Sequence, residues 1–170
     1  MTKQDSSRCA TIAILVDNEP GVLARVVGLF SGRGYNIDSL TVSQVDEEHG
    51  RSRITIVTAG TEMIIEQIQA QLRRLVPVHR VSDLIAEGPH VERELALVKV
   101  AGAGEKRVEA LRIADIFRAR VVDSTIESFV FEITGASDKI DAFIQLMQPL
   151  GLVDVSRTGV VAISRGPKPI

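Results

Sequence analysis

The sequence predicts an α+β protein made of two ferredoxin-like βαββαβ units in tandem. Three observations carry that expectation. Short β-rich runs alternate with helical stripes in the order β-α-β-β-α-β, and the order then repeats. Part of the repeat keeps one constant spacing: Gly60 matches Gly135, Ile65 matches Ile140, Ile68 matches Phe143, and Leu72 matches Met147. Between the halves, Glu87-Gly88-Pro89-His90 breaks regular structure and reads as a joint. The expected layout is a first domain over 10–86, a linker over 87–92 and a second domain over 93–166.

In the first half, Ile12–Val16 is a compact apolar run, read as a buried strand. Asp17-Asn18-Glu19-Pro20-Gly21 ends it with polar N-cap candidates and a proline suited to a first helical turn. Val22, Leu23, Val26, Val27 and Phe30 recur at helical spacing until Gly32 and Gly34 stop the helix. Two β-rich runs, Asn36–Val45 and Arg53–Ala59, flank a polar segment and predict a hairpin. Thr61 caps a second helix striped by Ile64, Ile65, Ile68, Leu72 and Leu75. Pro77 ends it, and Val78–Leu84 predicts a fourth strand. In the second half, strands are predicted over Leu95–Val100, from Val121, over Phe129–Thr134 and over Val153–Val155. Glu105–Ala119 reads as a helix bearing Val108, Leu111 and Phe117, and Ser137 caps another carrying Ile140, Phe143, Ile144 and Met147. Each unit is a small sheet covered on one face, with open edges, so side-by-side homodimerisation of the first unit is expected.

Composition narrows the function. The chain is 45% hydrophobic and 25% charged, as ordinary globular proteins are. A net charge of −2 offers no basic face for nucleic acid, and 4% aromatics without Trp leave few stacking platforms. Phe129 and Phe131 alternate on one strand face, as in some RNA-binding sheets, but Glu127 and Glu132 flank them and the module's Gly-aromatic pattern is absent. No apolar run reaches the roughly 20 residues that span a bilayer. The polar stretch Met1–Arg8 lacks the apolar core of a signal peptide. Cys9 is the only cysteine, which rules out an internal disulfide. A cytoplasmic protein, with neither nucleic acid nor membrane as partner, is expected.

Catalytic patterns are missing. His49, His79 and His90, with Cys9, make no metal-ligand spacing. Gly102-Ala103-Gly104 opens a helix after a strand, yet Arg107 occupies the third glycine position of a dinucleotide fingerprint, and no Gly-Lys-Ser/Thr follows. No Gly-x-Ser-x-Gly elbow appears, and no pair of carboxylates is marked for acid-base work. Neither a catalytic residue nor a metal ligand is therefore assigned. One local feature points the other way. The turn Asp17–Gly21 leaves backbone N–H groups at a helix start, which accept a carboxylate by convergence and by the helix dipole. Gly21 lets a ligand approach the backbone, and Asn18 supplies a donor and an acceptor. Asp17 and Glu19 suit the ammonium end of an amino acid. The same residues also suit plain capping of a tight turn.

Asp17-Asn18-Glu19-Pro20-Gly21-Val22-Leu23-Ala24-Arg25-Val26 resembles the opening of an ACT domain, a module that binds amino acids at dimer interfaces. Leu29–Val42, Val91–Val100, Ile116–Ala119 and Arg157–Gly166 closely resemble blocks of the small, regulatory subunit of acetohydroxyacid synthase (acetolactate synthase). The similarity runs from about Ile12 to Gly166, nearly the whole chain. It implies a subunit that stimulates a catalytic large subunit and mediates feedback inhibition by a branched-chain amino acid, commonly valine, in valine, leucine and isoleucine biosynthesis. Thiamine diphosphate, Mg²⁺ and FAD are implied on the large subunit, and no cofactor on this chain. The positions matching the family's effector motif are Asn18 and Gly21 in the first loop, with Val22 beside them, and Asn36 with Ile37 in the second strand, contributed across a dimer. Ser43 and Gln67 match the same region less directly. The second unit has no counterpart of Asn18-Glu19-Pro20-Gly21 and is expected to dock or dimerise. A free-standing ACT-type transcription regulator would need a DNA-reading segment, which is absent. A small enzyme on this fold would show turnover alone.

Overall fold

The computed structural model of the protein describes residues 6–170. The reading of Met1–Arg8 as a stretch without a signal-peptide core therefore falls largely outside the described residues. Two compact units are present. One reaches as far as Val91 and takes in Val160–Ile170, and the other is Glu92–Gly159.

The first unit runs β1 (Arg8–Asp17), α1 (Val22–Ser31), β2 (Ser39–Asp46), β3 (Arg51–Gly60), α2 (Glu62–Leu72), β4 (Val78–Asp83) and a short α3 (Leu84–Glu87). Its sheet has the order β2-β3-β1-β4 with every pair antiparallel, the ferredoxin-like arrangement. Strand alternation sends Ala10, Ile12, Ile14 and Val16 toward the helices, where they meet Val26, Phe30, Ile65 and Ile68. Each such fully buried Ile or Phe contributes about 1.5–3 kcal/mol. Thr61 caps α2 as its side chain predicts, its hydroxyl accepting from Ile64 N–H. α1 is capped otherwise than expected. Its N-cap is Gly21, with φ 86° and no side-chain cap, so Asp17 and Asn18 lie too far upstream to serve.

The opposite face of this sheet is not bare. Val160–Ile170, which the sequence reading counts in part with 93–166, packs there as a strap. Val160 and Ala162 bury themselves beside Ala13 and Leu84. Side chains from β2, β3 and β4 hold the strap by its backbone. Val160 N–H donates to Ser39 Oγ (2.7 Å), and Thr41 Oγ donates to Val160 O (3.1 Å). Arg53 and Arg80 guanidinium groups donate to Ala162 O and Pro169 O.

The second unit runs β5 (His90–Ala101), α4 (Glu105–Ile116), β6 (Arg120–Ser124), β7 (Ser128–Gly135), α5 (Ser137–Met147), a 3-10 turn at Gln148–Leu150 and β8 (Leu152–Arg157). The order β6-β7-β5-β8 repeats that of the first unit. The strap itself carries β9 (Val161–Ser164), and Arg165 N–H donates to Pro89 O. β5 begins at His90, so half of the expected linker is strand. Phe129 and Phe131 are core residues: Phe131 is fully buried and stacks edge-on against Phe143 at 6.0 Å. They are not available to stack on bases.

Three expectations fail on the second unit. The buried stripe of α4 is Ala110 and Ala114, while Val108 and Leu111 are exposed; only Phe117 of the expected trio packs inward, against Phe143. α4 stops at Ile116 because Arg118 turns left-handed (φ 56°) and Ala119 N–H returns to Ala114 O, a closing motif that needs no glycine. Ser137 is the first residue of α5 rather than its cap, and its hydroxyl donates to Glu94.

Candidate functional site

The turn Asp17–Gly21 is pinned at its start by two backbone bonds. Asp17 N–H donates to Pro77 O (2.8 Å) and Asn18 N–H to Gly50 O (2.7 Å). The chain then reaches Gly21, whose left-handed φ only glycine adopts without strain. Among the described residues α1 is the one α-helix with neither a side-chain cap nor an acidic residue in its first turn. Its positive end therefore opens onto a turn whose side chains, Asn18, Glu19 and Pro20, are exposed. A Cβ placed on Gly21 would meet nothing within 4 Å, so backbone there is approachable from outside. Val22 is the exception in this group: it is buried in the core and anchors the helix.

The acidic residues of the turn are engaged within the chain. His79 Nε2 lies 2.5 Å from Asp17 Oδ1, and Arg25 pairs with Glu19 at 3.3 Å. Arg25 thereby offsets the Glu19 charge near the helix end.

Asn36 and Ile37 lie in the connector ahead of β2, which starts at Ser39, rather than in the strand. Tyr35 packs edge-on against Phe30 and its hydroxyl donates to Gln67 on α2 (3.3 Å). Thr58 Oγ donates to Asn36 O (2.6 Å), which fixes the backbone and leaves the Asn36 side chain exposed, its amide donating to Asp38 (2.5 Å). Ile37 packs partly into the core. Asn36, Ile37 and Gln67 thus form one neighbourhood, linked through Tyr35.

This neighbourhood and the Asn18–Gly21 turn sit at opposite ends of α1, whose 10 residues span about 15 Å. One chain does not bring them together. Ser43 is separate again. It shares a face of β2 with Ser39 and Thr41, the face under the strap, and pairs across to Arg53. The strap is what sequence reasoning missed; Val160-Val161-Ala162-Ile163 is apolar throughout, and only the sheet face it meets decides that Val160 and Ala162 are buried while Val161 and Ile163 are exposed. Among the described residues no three His, Cys, Asp or Glu side chains are placed to hold a metal ion.

A split βαββαβ sheet with an uncapped, glycine-started first helix defines a unit of the ACT class, and residues 12–80 match the AHAS small subunit-like ACT domain. Residues 93–166 match the small subunit of acetolactate synthase. The acetolactate synthase isozyme 3 small subunit of Salmonella typhimurium is 48% identical over 158 residues, covering 92% of this chain and 96% of the relative. The Aquifex aeolicus acetolactate synthase small subunit is 48% identical over 155 residues, covering 91% and 80%. The crystal structure of the small subunit from Thermotoga maritima superposes with a TM-score of 0.83 at 40% identity, over 95% of this chain and 99% of that one. The chain belongs to the acetolactate synthase small-subunit family. No helix among its described residues is long and apolar enough to cross a membrane.

Proposed function

We propose that this chain is a regulatory subunit that stimulates a catalytic large subunit of acetolactate synthase and makes it sensitive to a branched-chain amino acid, valine foremost. The observation that carries the reading is the open start of α1. Its positive end, which no side chain caps, and the achiral, exposed backbone at Gly21 suit an α-carboxylate. The second half of the effector site is Asn36, which in one chain lies at the far end of that helix. A homodimer that lays one chain's α1 turn beside its partner's Asn36 completes the pocket, with Ile37 supplying apolar surface for the branched side chain. Because such a pocket is shared, an effector that binds one arrangement of the two subunits better shifts the equilibrium between arrangements.

The thiamine diphosphate, Mg²⁺ and FAD belong to the large subunit in this reading, and so does the acetolactate chemistry. The deciding experiment reconstitutes the chain with its large subunit and follows acetolactate formation from pyruvate while valine is titrated. The reading requires no turnover from this chain alone, a raised rate on reconstitution, and inhibition that depends on this chain. Turnover by the isolated chain, or valine sensitivity of the large subunit without it, overturns the proposal.

A further inference from the structure

Beside the strap opens a cleft of about 370 Å³, a size in the range of small-ligand sites. It belongs wholly to the first unit and is unrelated to the α1 turn or to Asn36. Leu15 and Val45 line it from the sheet, Ile163 and Ile170 from the strap. Two cations complete the lining, Arg53 of β3 and Lys168 of the strap, and no acidic side chain does.

Arg53 is the unusual member. It is half-buried on a sheet face, between Leu15 of β1 and Ser43 of β2 in register. One of its five donors goes to Ala162 O. Among the described residues no carboxylate pairs with it, and burial alone acts on the guanidinium, lowering its pKa from the ordinary value. A desolvated cation without a counter-ion is costly unless something anionic meets it. The neighbouring cavity on the other side of the strap differs, since Glu87 lines it together with Arg80 and Arg165. Lys168 lines both cavities, so it is Arg53 that has no acidic side chain in the lining around it.

We propose that this cavity binds a short aliphatic carboxylate that lacks an ammonium group, with the carboxylate on Arg53 and Lys168 and the hydrocarbon on Leu15, Val45 and Ile163. Guanidinium and carboxylate match as a two-pronged pair, which favours a carboxylate over a single-point acceptor. No lining side chain is acidic, so the ammonium of a zwitterion would meet no carboxylate side chain there. The site is therefore distinct in chemistry from an amino-acid effector pocket.

The test is methyl NMR on the intact chain, titrated separately with 3-methylbutanoate, L-leucine and 3-methylbutan-1-ol. Saturable shifts of Leu15, Val45 and Ile163 methyls are expected with the carboxylate only. Arg53→Gln should weaken that binding by at least about tenfold. Arg53 also holds the strap, so Val45→Trp, which fills the cavity and leaves the strap's anchors in place, is the second variant and should abolish it. Asn36→Ala should bind the carboxylate as the parent does, which separates this site from the proposed effector pocket. The proposal is overturned if no saturable shift appears into the millimolar range, if the alcohol or leucine binds there equally, if both cavity variants bind normally, or if Asn36→Ala loses binding.

Discussion

Asn36 shows how one residue can be fixed by its backbone while its side chain stays at the surface, bonded only to the neighbouring Asp38. The buried Thr58 hydroxyl fixes the Asn36 carbonyl, so Asn36→Ala should keep the connector's path while removing an amide from the surface. Loss of one hydrogen-bond partner of a bound effector costs about 1–3 kcal/mol, which is roughly a 5- to 150-fold rise in the inhibitory valine concentration. Stimulation of the large subunit should persist. If Asn36→Ala lowers stability and stimulation together while the valine midpoint stays put, the residue merely secures the turn. Two glycines give a sharper contrast at the same scale. Gly21→Ala meets open space but a positive φ, so its cost in stability is the backbone's alone, about 1–2 kcal/mol. Gly151→Ala combines φ 104° with a Cβ only 1.9 Å from Ala101 O, the end of β5 to which the Gly151 carbonyl is bonded. It should destabilise far more than Gly21→Ala, and urea denaturation of the two variants side by side checks the order.

At the scale of elements, each unit ties one outer strand to its central neighbour and to a helix through an arginine. In the first, Arg8 of β1 bridges Asp83 (2.8 Å), which caps α3, and Glu62 at the start of α2. In the second, Arg157 of β8 forks onto buried Glu94 of β5 (2.7 and 2.8 Å) and reaches Asp141 of α5. The Arg157 guanidinium holds the Glu94 carboxyl below the usual range; burial opposes this, and the Ser137 hydroxyl adds to it. A carboxyl whose folded pKa is depressed stabilises the fold above its unfolded pKa, and that contribution is lost as pH falls through the folded value. The second unit should therefore keep this contribution down to about pH 5 and lose it as pH falls below the ordinary glutamate value of about 4.3, on top of general acid effects. Glu94→Gln should cost roughly 2–3 kcal/mol near neutrality and flatten the acid dependence. An unaltered pH profile in that variant would show that other carboxyls govern acid unfolding. α4 teaches a different point at this scale. Val108 and Leu111 share helical spacing with Phe117's neighbourhood, yet the helix contacts its unit through Ala110 and Ala114, because small residues let a helix approach closely.

For the molecule as a whole, the strap and the sheet edge make the testable claims. Deleting Val160–Ile170 uncovers Ala13 and Leu84 and strips the partners from Ser39, Thr41 and Arg80. It should lower the stability of the first unit by about 2–4 kcal/mol, judged from the apolar area of Val160 and Ala162. A truncated chain with an unshifted urea midpoint would show the strap to be ornamental. β2 is an outer strand of its sheet, with Val42 and Val45 exposed, and an open edge of this kind invites pairing. The intact chain should sediment as a dimer or larger at tens of micromolar, and a strictly monomeric profile would remove the proposed shared pocket. What the sequence alone determined was set by local terms. Helical stripes of period 3.6, Thr61 as a cap, the turn at Pro20-Gly21 and the repeated β-α-β-β-α-β order are all written in neighbours a few residues apart. The match of Gly60 to Gly135 carried the second unit's topology as well. The tertiary structure decided what depends on distant partners. Asn36 left the strand because its carbonyl found Thr58; Ser137 gave up capping because its hydroxyl found Glu94; Val160–Ile170 joined the first unit because Ala13 and Leu84 bury its apolar residues and Ser39, Thr41 and Arg53 meet its backbone. Those choices rest on burial and on hydrogen bonds closed across long stretches of chain, and no local pattern encodes which distant group will be there to accept them.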